Sequence, residues 1–241
     1  MNNQKFLEII KESFDKYLHT SSRSNEKLKI LHGAIARDIK NKLGTEYTVH
    51  SLGIFDSKEK RIGGRYMEKT VDIAIEHDEK IVGGVGLKFI MSNYSQNSNN
   101  YFENMLGETA NIRCANIPYF QIIIFPSRVP YFKDDGSISK YEEITPHNLS
   151  KYLNLSTDDA HVYMHIPNKI LLYLVNIDIP RTNPMGDKKS YYEFYTQNNR
   201  NYMIRESTEI YNFGNSIIYN DYERFIEEIC QIIVTSNIFS N

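Results

Sequence analysis

The chain has 241 residues, 41% of them hydrophobic and 24% charged, with a formal net charge of -2. That length and composition are ordinary for a globular protein with one sizeable core. The near-neutral charge excludes a nucleic-acid partner attracted by the field of the whole molecule, so any DNA contact must come from local patches. No signal-peptide segment and no apolar run of membrane-spanning length, about 18 residues, occurs, which predicts a cytoplasmic protein without membrane contact.

Cys114 and Cys230 are isolated, which predicts reduced core thiols and neither structural zinc nor a disulfide framework.

Helical spacing of apolar residues predicts two helices at the start of the chain. The first is expected over Lys5–Leu18, and the second follows Ser24 as N-cap and ends at Gly44. TEYTVHSLGIF predicts a strand. The charged segment from Asp56 to Gly64 predicts a loop that could close over a ligand.

The centre of the chain predicts a β-hairpin followed by a helix and a further strand. TVDIAIE alternates in polarity, HDEK resembles a turn, and IVGGVGLKFIM is almost continuously apolar, which is typical of a central strand. YFENMLGETANIR then predicts a helix that begins near Asn99, and PYFQIIIFP predicts another buried strand. The fold class expected is α/β, with a central mixed β-sheet flanked by helices.

The C-terminal part is less regular and contains no repeat or linker that indicates a second domain. KDDGS predicts a turn, TPHNLSKYL a short helix, KILLYLVNI a strand and DYERFIEEICQIIVTSNIF a closing amphipathic helix. The segment from Pro180 to Asn215 is polar and rich in Tyr and Asn. We expect one domain over residues 1–241.

Asp72 and Lys88 lie on the two strands of the predicted hairpin. Metal-assisted phosphodiester hydrolysis needs these groups: the carboxylate binds Mg²⁺, and the ammonium orients the attacking water and offsets developing charge. Lys88 lies in an apolar strand, where its burial is costly unless a carboxylate or ligand meets it. Gly83 and Gly84 favour a close approach by backbone or ligand. The alternative is that Asp72 forms a surface ion pair and Lys88 extends from the strand into solvent.

VDIAI followed by GLK resembles the PD-(D/E)XK nuclease core of many type II restriction endonucleases, over about residues 65 to 126. The resemblance implies a restriction-endonuclease-like core in which Asp72 and Lys88 are catalytic. It also implies Mg²⁺ as cofactor, held by Asp72, a second acid and the backbone carbonyl of Leu87. Val71 takes the usual Pro position, and Gly86 takes the position of the second acid.

In some restriction enzymes of this superfamily the second acid has moved onto the helix after the catalytic strand. The resemblance therefore implies that Glu103 or Glu108 is catalytic, although exposed helix glutamates are common. With a helix start near Asn99, Glu103 lies about 6 Å along the axis and Glu108 about 13 Å, which favours Glu103 as the metal ligand. Glu68 and Glu76 are further candidates, and Glu76 is expected to be solvated.

GETANIR followed by IPYFQIIIF resembles the passage in restriction enzymes that read AT-containing palindromes, where a polar segment before the helix enters the major groove. Asn and Gln side chains pair bidentately with adenine, so the recognition candidates are Gln96, Asn97, Asn99 and Asn100. Phosphate contacts are expected from the basic residues before the catalytic strand, which are Lys58, Lys60, Arg61, Arg65 and Lys69. Alternatively, the Asn and Gln residues form only a polar loop in an Asn-rich protein, and the basic residues are only solvated loop charges.

These expectations predict a type II restriction endonuclease: a site-specific, Mg²⁺-dependent hydrolase of double-stranded DNA at a short palindromic sequence. A palindrome calls for twofold symmetry, so we expect a homodimer. Residues of about 45–130 would form the catalytic core, and residues 131–241 would complete the fold and contribute to DNA contacts or dimerisation. Two alternatives are a repair or recombination nuclease of the same fold and a catalytically inactive DNA-binding module. The catalytically inactive module stays an open alternative because Gly86 stands where the resemblance expects the second acid.

Overall fold

The computed structural model describes residues 1–20, 24–54, 57–178, 186–197 and 202–239. The helices are α1 (Asn3–His19), α2 (Glu26–Leu43), α3 (Tyr94–Arg113), α4 (Pro146–Thr157), α5 (Lys188–Thr196) and α6 (Tyr222–Phe239). The strands are β1 (Tyr47–Ser51), β2 (Lys60–Gly63), β3 (Glu68–Val71), β4 (Ile73–His77), β5 (Lys80–Phe89), β6 (Tyr119–Pro126), β7 (Arg128–Phe132), β8 (Ile138–Glu143), β9 (Lys169–Ile177), β10 (Ile204–Glu206) and β11 (Ile217–Tyr219). Asp56 of the predicted loop, and part of the predicted polar segment from Pro180 to Asn215, lie outside the described residues.

Seven strands form one mixed sheet in the order β1-β4-β5-β6-β9-β10, and β11 also pairs with β9. The pairs β5·β6, β6·β9 and β9·β11 are parallel, whereas β1·β4, β4·β5 and β9·β10 are antiparallel. The predicted α/β fold with a mixed central sheet is therefore confirmed. The predicted hairpin is also confirmed, with β5 in the interior of the sheet between β4 and β6.

Helices cover both faces of the sheet, which explains why β6 and β9 are apolar along nearly their whole length. Ile122 and Ile124 of β6 pack into a core formed with α1, α2, α5 and α6. Ile123 and Phe125 point the other way, into a core formed with α3 and α4. Burial of each such side chain stabilises the fold by about 1.5–3 kcal/mol, so β6 contributes to two cores at once.

The segment predicted to be a loop contains β2, which pairs with β3 in a separate two-stranded hairpin. Ile62 and Val71 of this hairpin pack on Ala74, Ile112 and Tyr119 in a small third core. Each short strand contributes one buried apolar residue, which is too little alternation to predict a strand from the sequence.

Other elements also differ from their predicted bounds. Helix α3 begins at Tyr94 rather than near Asn99, because Tyr94 is buried and anchors a first turn whose other residues are polar. The N-cap of α2 is Asn25 rather than Ser24, although the Ser24 hydroxyl accepts a hydrogen bond from the Glu26 amide. Elements β7, β8, α5, β10 and β11 were not predicted. Within the described ranges, no helix has both the length and the apolarity needed to cross a bilayer.

Both cysteines are free thiols in the structure, as predicted. Cys230 is buried in the core, whereas Cys114 is partly exposed at the end of α3, so the expectation that Cys114 is a core thiol is wrong.

Candidate active site

Asp72 lies at the point where the chain passes from the β2–β3 hairpin into the main sheet. Its side-chain Oδ2 accepts a hydrogen bond of 2.6 Å from the amide of Leu87 on β5. Its backbone carbonyl accepts one of 2.7 Å from the Ser51 hydroxyl on β1. Two strands therefore fix the position and the orientation of this carboxylate.

The environment of Asp72 disfavours its negative charge, and burial raises its pKa to about 6. The Leu87 amide opposes the shift, whereas the nearby carboxylate of Glu108 adds to it. A divalent cation beside Asp72 would reverse both unfavourable effects, because it stabilises the ionised form of each carboxylate.

Glu108 reaches this region from α3 and is held there by two contacts. The Tyr119 hydroxyl donates a hydrogen bond to its Oε1, and Lys69 Nζ lies 2.7 Å from its Oε2. Burial is the main cause that raises the pKa of Tyr119 well above its usual value, so this hydroxyl stays a donor at any working pH.

Gly86, at which the sequence resemblance would place a second acid, has no room for a side chain. A Cβ built there would lie 2.4 Å from the Tyr119 hydroxyl oxygen and 2.7 Å from Gln121 Oε1. The tyrosine hydroxyl fills the space that an acid at position 86 would need, and the acid bonded to that hydroxyl is Glu108.

Lys88 follows Gly86 on the same face of β5, but it is exposed, so the expectation that it is buried in apolar surroundings is wrong. The residues before it on that face are Gly84 and Gly86, which lack side chains to cover it. Its Nζ lies 4.5 Å from the centroid of the Tyr101 ring, a cation–π distance. The ammonium is thus available to a ligand.

A cavity of about 630 Å³ brings these groups together. Its lining includes all four predicted catalytic residues and Leu87, together with Lys69 from the basic cluster: Asp72, Leu87, Lys88, Glu103, Glu108 and Lys69. The lining also includes Gln121, which sequence reasoning missed. Gln121 is buried and lies beside Gly86 in the register of β5 and β6, a neighbour that a correct strand pairing alone would have revealed.

Glu103 and Glu108 do not occupy equivalent places in the cavity. Because α3 begins at Tyr94, Glu103 lies about 13 Å along its axis and Glu108 about 21 Å, so Glu103 is still the nearer to the start of the helix and its selection as the metal ligand stays a prediction. Glu103 is exposed, and its negative charge acts on Lys151 of α4. Glu108 is the helix carboxylate whose charge affects Asp72.

The predicted recognition residues Gln96, Asn97, Asn99 and Asn100 lie on the first turns of α3 and not in a loop. They do not line the cavity. Asn97 Nδ2 donates to the Asn93 carbonyl at 3.3 Å, and Lys151 Nζ donates to Asn99 Oδ1, also at 3.3 Å. Gln96, Asn99 and Asn100 are exposed.

The predicted basic cluster is divided in the structure. Lys60 pairs with Glu76, which also contacts His50, so the expectation that Glu76 is solvated is wrong. Arg61 lies 3.3 Å from Glu68 across the β2–β3 hairpin, and Lys69 pairs with Glu108. Arg65 is exposed near the turn of that hairpin, and Lys58 lies before the first strand of the hairpin.

A second group of possible metal ligands lies on the other side of Asp72. His32 Nδ1 is 4.0 Å from Asp72 Oδ1 and 4.0 Å from Glu59 Oε1. Among the described residues, these three are the group of His, Cys, Asp and Glu side chains that could hold a metal ion. Beside His32, Gly33 lets α2 pack closely against the chain that follows β1: a Cβ on Gly33 would lie 2.3 Å from the carbonyl oxygen of Gly53.

Sequence reasoning assigned no role to His32, and it did not consider Glu59. The available signal was a histidine on the apolar face of α2, since its neighbours Leu31 and Ile35 are core residues. Comparison of the chain with protein-family models, with curated proteins and with solved structures gave no match.

Proposed function

We propose that this chain is a Mg²⁺-dependent deoxyribonuclease that cleaves double-stranded DNA at a specific sequence, as type II restriction endonucleases do. The observation that carries the proposal is the meeting of Asp72, Glu108 and Lys88 at one cavity. Asp72 lies between β3 and β4, Lys88 lies on β5, and Glu108 lies on α3. Metal-assisted phosphodiester hydrolysis requires such a combination of two carboxylates and a lysine.

Asp72, Glu108 and the Leu87 carbonyl would hold the Mg²⁺ ion, which usually keeps several waters and binds one or two protein carboxylates. When bound, Mg²⁺ polarises a phosphoryl oxygen and lowers the pKa of a coordinated water. The Leu87 amide orients Asp72, and the Tyr119 hydroxyl orients Glu108. Lys88 would hold the attacking water and offset the negative charge that develops on the phosphate.

The contacts that select a sequence are proposed to come from outside the cavity. Exposed Asn99 and Asn100 at the start of α3 would read base edges. Exposed Arg65, whose backbone amide donates to the carbonyl of the cavity residue Asn111, would bind a backbone phosphate. A palindromic site would be read by two copies of the chain related by a twofold axis.

Sequencing of the fragment ends after incubation of plasmid and genomic DNA with the protein and Mg²⁺ tests this function. A site-specific enzyme gives discrete fragments whose ends share one twofold-symmetric sequence. A continuous smear would instead indicate a structure-directed or nonspecific nuclease.

Lys88→Ala is expected to lower the cleavage rate by about 10²–10⁴-fold, the usual range for a group that assists proton transfer or water activation. The affinity for DNA should fall only slightly, because the variant loses about one phosphate contact. The slope of log affinity against log salt concentration should become less steep by about one unit. Cleavage is measured in Mg²⁺ and binding in Ca²⁺. Lys80→Ala, on the same strand but outside the cavity, is the matched control. Full activity of Lys88→Ala would contradict the role of this residue.

Asn97→Ala, Asn99→Ala and Asn100→Ala are expected to weaken or relax sequence choice, since removal of each bidentate hydrogen-bonded pair with a base costs about 1–3 kcal/mol. Cleavage rates on the cognate site and on its single-base variants measure the effect. Asn154→Ala, at an exposed position of α4, serves as control. Unchanged site preference in all three α3 variants would contradict a recognition role for this helix.

A further inference from the structure

His32 is a buried side chain with unmet hydrogen-bonding capacity. It is 1% exposed, and neither ring nitrogen has a hydrogen-bond partner. An unpaired polar group of this kind costs about 1–3 kcal/mol. Burial lowers the pKa of His32 to about 4, so the ring is neutral at physiological pH and keeps a lone pair free for a ligand.

Two carboxylates face this ring at a distance that leaves room for a bridging ion. Each lies 4.0 Å from Nδ1, which is too long for a hydrogen bond. One atom from each of His32, Glu59 and Asp72 lies within 4.8 Å of the other two. Ligand atoms about 2.1 Å from a common ion lie about 3.0–4.2 Å apart in octahedral geometry, so small side-chain rotations would close this group around one cation.

Two of the three residues in this group are not among the ligands proposed for Mg²⁺. His32 and Glu59 do not line the cavity, and Asp72 is the residue that both sets share. A carboxylate can bind one ion through each oxygen, and it is Oδ1 that faces His32 while Oδ2 accepts the Leu87 amide.

The chemistry of the donors selects the class of ion. Mg²⁺ prefers an all-oxygen shell and keeps its waters, whereas a neutral imidazole favours first-row transition metals. We infer that His32, Glu59 and Asp72 form a second cation site that takes a divalent first-row transition metal in preference to Mg²⁺, and Mn²⁺, which binds both carboxylates and imidazole, is its EPR-active probe. This inference does not depend on the proposed nuclease function, because it concerns metal binding by the protein alone.

Titration of the full chain with Mn²⁺, followed by the EPR signal of the free ion in excess Mg²⁺ and without DNA, tests the site. The wild-type protein is expected to retain one bound Mn²⁺ per chain that Mg²⁺ does not displace. His32→Gln and Glu59→Gln should each weaken this binding at least tenfold. Glu59 is partly exposed, so its substitution keeps the test valid even if His32→Gln folds poorly.

Glu108→Gln is the matched control, because it removes a cavity carboxylate and leaves the His32 group intact. Because removal of the Glu108 charge favours the ionised form of Asp72, Mn²⁺ binding in this variant that is as tight as in the wild type or tighter supports the site. Loss of Mn²⁺ binding in Glu108→Gln but not in Glu59→Gln would place the ion in the cavity and overturn the inference. Wild-type protein that binds no Mn²⁺ in excess Mg²⁺ would overturn it as well. None of these outcomes depends on DNA cleavage.

Discussion

Asp72→Asn is expected to abolish DNA cleavage, with a loss of about three orders of magnitude or more, and at the same time to raise the free energy of unfolding near pH 7. The loss of cleavage is expected because Asp72 is the charged ligand that both proposed metal sites share. Its removal would cost several kcal/mol of transition-state stabilisation. Asn keeps an oxygen that accepts the Leu87 amide, so the orientation of the side chain is preserved.

The stability effect follows from the raised pKa of Asp72, which is about 6 in the folded protein. A group whose folded pKa lies above its unfolded value stabilises the fold at low pH and loses that contribution as pH rises through the folded pKa. The ionised carboxylate therefore costs free energy at pH 7. Its side chain is 31% exposed, so we reduce the expected gain for Asn to about 1–2 kcal/mol.

Urea unfolding without metal at pH 7.5 and at pH 4 measures this effect. Asp72→Asn should be more stable than the wild type at pH 7.5, and the difference should shrink towards pH 4, where the wild-type carboxyl is protonated. Asp134→Asn, at an exposed position outside the cavity, should change neither stability nor cleavage. A variant that cleaves normally at saturating Mg²⁺, or is less stable at pH 7.5, would contradict the role assigned to Asp72.

Glu108→Gln is expected to reduce cleavage by about two to three orders of magnitude, whereas Glu103→Gln should stay within a few-fold of the wild type. Glu108 contacts Tyr119 and Lys69 and affects the charge of Asp72, while exposed Glu103 has none of these contacts. Gln keeps the shape of each side chain and removes its charge, so packing is largely unchanged.

Cleavage rate as a function of Mg²⁺ concentration separates the possible outcomes for these two variants. Glu108→Gln should need far more Mg²⁺, as expected when a ligand is removed. An inactive Glu103→Gln with an active Glu108→Gln would identify Glu103 as the ligand instead. Normal cleavage by both variants would show that neither helix acid replaces the one missing at Gly86.

Much of the sheet could be predicted from the sequence because its central strands are long and apolar. Strands β6 and β9 are covered by core residues on both sides and β5 on one side, which makes each a recognisable hydrophobic run. Hairpin β2–β3 could not be predicted, since Ile62 and Val71 are its buried apolar side chains and the other residues resemble a charged loop. The start of α3 was missed for a related reason, because its polar first turns depend on one buried tyrosine.

The candidate site was only partly predictable because its geometry depends on contacts between distant segments. That Asp72 and Lys88 lie close together could be predicted from their adjacent strands, and both line the cavity. The choice of Glu108 depends on Tyr119, whose hydroxyl occupies the space above Gly86. His32 on α2 and Asp72 between β3 and β4 are 40 residues apart in the chain, and no local sequence pattern indicates that they lie 4.0 Å from each other.

The central claim, that Asp72 serves metal-dependent cleavage of DNA, is tested most directly by incubating unmethylated genomic DNA with wild-type protein and with Asp72→Asn. Each protein is assayed in Mg²⁺ and in EDTA. We expect discrete fragments from the wild type in Mg²⁺, and intact DNA from the wild type in EDTA and from the variant in either condition. Intact DNA with wild-type protein in Mg²⁺, or equal fragmentation by Asp72→Asn, would contradict the claim.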